Sequence, residues 1–181
     1  IVTGDWSSDV CSSDLETAVG DFPVEAVQTM ATIACRIEKD YPQRSVDSHL
    51  ASTVPNALSG AVSTIASQLN ASAIIPLTKS GATAKNVSKF RPAAPILAIT
   101  PDPTVACRLQ LIWGVKPLVI PQHERTTHTF LAAMTKAKTL GLLKEGDLVV
   151  QTAGTHTGVS GSTDLVKVGI VSSEESAVSM I

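Results

Sequence analysis

Leu77-Thr78-Lys79-Ser80-Gly81-Ala82-Thr83 follows directly on the apolar run Ala73-Ile74-Ile75-Pro76-Leu77 and leads directly into a helix-like segment. An apolar run that passes to a helix through a short polar turn is the βα step of a parallel sheet. The hydroxyls of Thr78, Ser80 and Thr83, the Lys79 ammonium and Gly81 converge on that turn. The first N–H groups of a helix lack intrahelical acceptors, so an anion is favoured there. The turn reads as a phosphate cradle; taken alone, the same residues also describe an ordinary polar turn with a helix cap.

Working outward from it, the same order repeats. Strand-like runs at Ala73–Leu77, Ile96–Thr100, Pro117–Ile120 and Asp147–Thr152 alternate with helical patterns at Thr83–Lys89, Pro103–Trp113 and Thr126–Leu140. This predicts an α/β fold: an open, mostly parallel five-stranded sheet with helices on both faces and right-handed crossovers. A last run, Leu165–Val171, has no room for a helix before it, because the connection Ala153–Asp164 is short and rich in Gly, Thr and Ser. It is expected to return antiparallel at one edge. Asp102 before Pro103, and Thr126 before the inward-facing Phe130, Leu131 and Met134, are read as caps, and Gly141 as a helix end. Val105, Leu109 and Ile112 are core, and Met134 is assigned no chemistry.

Upstream, Val27, Met30, Ala31, Ala34 and Ile37 recur at helical spacing between Phe22 and Lys39, with Asp21 as a cap and Pro23 in the first turn. Tyr41-Pro42-Gln43-Arg44 breaks the pattern. A second stripe follows at Val54, Leu58, Val62, Ile65 and Leu69, with Thr53 and Pro55 as start signals and Asn70 as a stop.

The bulk composition bounds the function. With 181 residues, 44 % apolar and 17 % charged, the chain can bury a core, and with only 3 % aromatics that core is built of Val, Ile, Leu and Ala. A net charge of −2 without a dense Lys/Arg cluster argues against a nucleic-acid surface. No apolar run approaches the roughly 18 to 20 residues of a membrane span and no signal core opens the chain, so cytoplasm is the default and no membrane partner is expected. Cys11, Cys35 and Cys107 form no CxxC pattern and read as buried or idle thiols. His123 and His128 stand five apart without a carboxylate motif, so no metal site is assigned.

Open parallel sheets bind ligands beyond the carboxyl ends of their strands. That selects two loops, Thr78–Thr83 and Ala153–Thr163, which converge if the strand ending at Leu77 neighbours the one ending at Thr152. The candidate effector-binding residues are Thr78, Lys79, Ser80, Gly81, Ala82 and Thr83, with Gly154, Thr155, His156, Thr157, Gly158 and Gly161. Glycines in the second loop let backbone N–H groups approach a phosphorylated sugar or nucleotide, although on its own that loop also reads as a Gly/Ser connector. The spacing meets neither the P-loop nor the dinucleotide-binding pattern, and Gly158-Val159-Ser160-Gly161 has the wrong interval for a nucleophile elbow. No catalytic residue is assigned.

Five ordered motifs carry a family resemblance. They are Glu16-Thr17-Ala18-Val19-Gly20-Asp21-Phe22-Pro23-Val24-Glu25-Ala26-Val27, then Thr78-Lys79-Ser80-Gly81, then Arg91-Pro92 with Pro95-Ile96, then Trp113-Gly114-Val115, and finally Gly146-Asp147-Leu148-Val149-Val150 followed by Thr152-Ala153-Gly154. From roughly Glu16 to Val171 the chain resembles the C-terminal portion of bacterial pyruvate kinase. That family joins a (β/α)8 barrel, which transfers phosphate between phosphoenolpyruvate and ADP with Mg2+ and usually K+, to an allosteric α/β domain. The resemblance implies a barrel remnant and linker over 16–43, an allosteric domain over 44–171 and a frayed tail over 172–181. It places the effector phosphate at Thr78–Thr83, under a glycine-rich loop at 154–161, and implies a homotetramer. The effector is fructose 1,6-bisphosphate in many members and AMP or a sugar monophosphate in others; a second loop without arginine or tryptophan favours a monophosphate. The barrel's metal-binding carboxylates, catalytic lysine and substrate-binding arginine have no counterpart here, so the chain alone is expected to be inactive and to hold no cofactor. Residues 1–15 match nothing in the family, resemble a translated sequencing-adapter stretch and are expected to pack poorly. A freestanding phospho-ligand module and an oligomerisation domain are the alternatives.

Overall fold

The computed structural model describes residues 17, 20–40, 53–123, 125–154 and 163–172. The expectations for residues 1–15, for the break at 41–44 and for the tail beyond Ser172 lie outside them. The chain divides into two compact units, Ile1–Pro42 and Gln43–Ile181. In the first, helix α1 (Pro23–Asp40) starts at the proline, whose missing N–H costs nothing in a first turn. Ala26 N donates to the Phe22 carbonyl, so Asp21 sits one residue before the position from which it was expected to cap.

The second unit runs α2 (Val54–Gln68), β1 (Ala73–Pro76), α3 (Ala82–Ser88), β2 (Ile96–Thr100), α4 (Pro103–Leu109), β3 (Val115–Val119), α5 (Thr126–Thr139), β4 (Leu148–Gly154) and β5 (Thr163–Ile170). The strands form one sheet in the order β3-β2-β1-β4-β5. The first three pairings are parallel and β4 with β5 is antiparallel, as the connection lengths required. β1 and β2 are buried at every position, which is why they read as unbroken apolar runs rather than alternating ones.

Alternate residues of the strands feed two cores. Ala73, Ile75, Leu97, Ile99, Val149 and Ala153 pack with Phe130, Ala133 and Ala137 of α5 on one face. Ile74, Ile96 and Val150 pack with Val62 and Ala66 of α2 and Val87 of α3 on the other, where Ala98 meets Ala84 and Leu109. Each fully buried Ile, Leu or Val contributes roughly 1.5–3 kcal/mol, so aliphatic side chains suffice for a core nearly free of aromatics.

Further local details of the second unit differ from expectation. β3 begins at Val115, not Pro117; a proline inside a strand is tolerated because β3 is an edge strand. α4 ends at Leu109, short of Trp113, and tightens into bonds from Ile112 N to Leu109 O and from Val115 N to Ile112 O that bring Gly114 to φ +68°. Thr126 is the first helical residue of α5 rather than its cap; Arg125 holds the cap position with no side-chain bond. Asp102 does cap α4, accepting from Thr104 N at 2.7 Å, and Asn70 and Gly141 end α2 and α5 at φ +49° and +68°.

Candidate functional site

The site begins where β1 ends. Pro76 lies in register with Thr152, and Leu77 N donates to the Thr152 carbonyl at 2.8 Å, so the first loop leaves the sheet beside the carboxyl end of β4. Thr78 N then donates to Ile99 O of β2 at 2.8 Å, which swings the chain toward the other neighbour. Thr78 is only 8 % exposed, and its hydroxyl accepts from Gly81 N at 2.9 Å and closes the turn. Gly81 takes φ +86°, and its carbonyl receives Lys85 N as the first bond of α3. The backbone angle favours glycine, and a Cβ at position 81 would lie 3.2 Å from Leu109 Cδ2, which would have to give by a few tenths of an ångström.

Lys79 and Ser80 are exposed at the tip of the turn, Ala82 is half-buried, and Thr83 is buried in the first turn of α3. Thr83 Oγ1 lies 2.8 Å from Thr163 Oγ1. Thr163 opens β5 and lies in register with Gly154, the last residue of β4, across a register irregularity at Ala153/Gly154. Thr152 Oγ1 donates to Leu165 O at 2.9 Å and ties the two strands just below. Residues 78–83 therefore stand beside both ends of the second loop, Gly154 and Thr163. Thr155, His156, Thr157, Gly158 and Gly161 lie outside the described residues.

Chemically, the arrangement gathers hydroxyl donors from Thr78, Ser80 and Thr83, the first-turn N–H groups of α3 and one ammonium at the mouth of a parallel sheet. Among the described residues it supplies donors and one positive charge, and no nucleophile with a paired base. Among the described residues no three His, Cys, Asp or Glu side chains are placed to hold a metal ion. Cys35 and Cys107 are exposed rather than buried. Among the described residues no helix is long and apolar enough to cross a membrane. Thr163 closes the second candidate loop but was not among the candidate effector-binding residues, because its partner stands 80 positions away and no local pattern links them.

The family described as "Pyruvate kinase, alpha/beta domain" matches residues 56–169. The chain is 55 % identical over 156 residues to pyruvate kinase 2 of Synechocystis sp., covering 86 % of this chain and 26 % of that protein. It is 42 % identical over 161 residues to a pyruvate kinase of Geobacillus stearothermophilus (87 % of this chain, 27 % of that protein). It is 40 % identical over 163 residues to one of Clostridium acetobutylicum (86 % and 34 %). The chain thus spans between a quarter and about a third of the length of these curated relatives.

Proposed function

The chain belongs to the pyruvate kinase family, and from that premise we propose that it is the regulatory α/β part of an enzyme that exchanges a phosphoryl group between phosphoenolpyruvate and ADP in glycolysis. Its own task is to bind a phosphorylated effector, a sugar phosphate or AMP, with the phosphate at Thr78–Thr83. The observation that carries this reading is the β1–β4 pairing, which sets the first loop against Gly154 and Thr163 at the carboxyl end of the sheet.

Phosphoryl transfer depends on metal ions and positioned cations to neutralise charge, and one lysine on an open turn does not replace them. The chain by itself is inactive. Mg2+ and K+ belong to the barrel of the whole enzyme, and no step here runs through either ion. Effector binding acts by favouring one of two subunit arrangements of a cytoplasmic homotetramer. α1 supports a barrel in the same protein. Phe22, Val24, Val27, Met30, Ile33 and Ile37 are all exposed, an apolar surface that a freestanding module would leave wet.

Calorimetric titration of the 181-residue chain with fructose 1,6-bisphosphate, AMP and glucose 6-phosphate tests the reading. At least one is expected to bind at a single site. Ser80→Asp places a carboxylate against the phosphate and is expected to weaken that binding by about a hundredfold, from repulsion between unit charges a few ångströms apart. Wild-type affinity in this variant would move the site elsewhere. No binding by any of the three would leave an oligomerisation domain as the better description.

A further inference from the structure

Two threonine hydroxyls meet in the interior from positions 80 residues apart. Thr83 Oγ1 and Thr163 Oγ1 are 2.8 Å apart, and the residues are only 7 % and 4 % exposed. No local turn produces this contact; it exists because β4 lies beside β1 and β5 returns along β4. A hydroxyl carries one proton and accepts at two lone pairs. The bond therefore uses one of the pair's two protons and leaves the second to be given to another acceptor, which a buried O–H group needs. Thr78 repeats the pattern beside it: its oxygen is engaged as the acceptor of Gly81 N at 2.9 Å, and that bond leaves its proton uncommitted.

Resting on the reading of Thr78–Thr83 as an effector-phosphate site, we infer that Thr163 is a positioning residue of that site: it donates to Thr83 Oγ1 and so directs the Thr83 proton onto a phosphoryl oxygen. The direction follows from the ligand's chemistry. An ionised phosphoryl oxygen only accepts, so Thr83 must give its proton to the ligand and can keep the 2.8 Å bond only as acceptor. With that bond, two hydroxyls and the anion form a chain of bonds polarised one way, each strengthening the next. Thr163 does this without touching the ligand. The preferred ligand class is a phosphomonoester, with acceptor oxygens enough for the Thr78 and Thr83 protons together.

The test measures affinity in the 181-residue chain for whichever of fructose 1,6-bisphosphate, AMP and glucose 6-phosphate binds best, alongside the melting temperature. Thr163→Val keeps the shape and removes the donor, and is expected to weaken binding about tenfold, the usual worth of a hydrogen bond to a charged group. Thr163→Ser restores the hydroxyl and is expected to return affinity to the wild-type level, a rescue that a purely structural role would not require. Adding Thr163→Val to Thr83→Val is expected to weaken binding no further than Thr83→Val alone. Should the valine variant not fold, Thr163→Ala takes its place. Wild-type affinity in Thr163→Val, with binding lost in Ser80→Asp, overturns this inference and leaves the site reading standing. Absence of binding by the wild-type chain overturns both.

Discussion

At position 81 the backbone adopts φ +86°, with Leu109 Cδ2 waiting 3.2 Å from where a Cβ would stand. Position 141 shares the left-handed region at φ +68°, with nothing within 4 Å. Left-handed backbone costs an L residue roughly 1–2 kcal/mol, and crowding adds to it. Gly81→Ala is therefore expected to cost about 2 kcal/mol and Gly141→Ala about 1 kcal/mol. Urea denaturation of the two variants checks the difference, and equal losses would mean that Leu109 yields freely. The turn itself was legible residue by residue, because Thr78 and Gly81, whose hydrogen bond closes it, stand three positions apart. Thr163 was not: a threonine opening a β-strand is unremarkable until the topology brings Thr83 to it.

Among the elements, β1 and β2 were readable as unbroken apolar runs and α2 and α5 from apolar spacing, since the first pair is buried on both faces and the second on one. Their ends were less so. α4 stops at Leu109 because the chain must tighten toward Gly114, and Leu111 beyond it is 88 % exposed, which no periodicity in Val105, Leu109 and Ile112 reveals. α1 makes the opposite point: its apolar stripe is as regular as that of a packed helix, yet Ile33 and Ile37 are 54 % and 55 % exposed. The replacement of both by Asp is accordingly expected to cost this chain less than about 0.5 kcal/mol, the range of exposed substitutions. Urea denaturation measures it, and a loss above about 1 kcal/mol would mean that the stripe is already covered.

The sheet of the second unit is stabilised as one body, with cores on both faces that share its central strands. β1 sits in the middle of the order, and Ile74, fully buried, packs against α2, α3 and β4 at once. Ile74→Ala is expected to cost about 2–5 kcal/mol, whereas Val168→Ala on edge strand β5, 43 % exposed, is expected to cost under about 1 kcal/mol. Denaturation midpoints compare the two, and similar losses would mean that β1 is not central to stability. The amino-acid sequence by itself determined which segments become strands and helices and that the sheet is mainly parallel with one antiparallel edge strand, since periodicity, caps and connection lengths are local properties of the chain. The tertiary structure alone decided that β4 lies against β1, that β3 forms the edge opposite β5, and that Thr83 meets Thr163. Each strand's own pattern is satisfied by several neighbours. Only the joint demand that every buried N–H and C=O be paired and both faces of the sheet be covered selects one order.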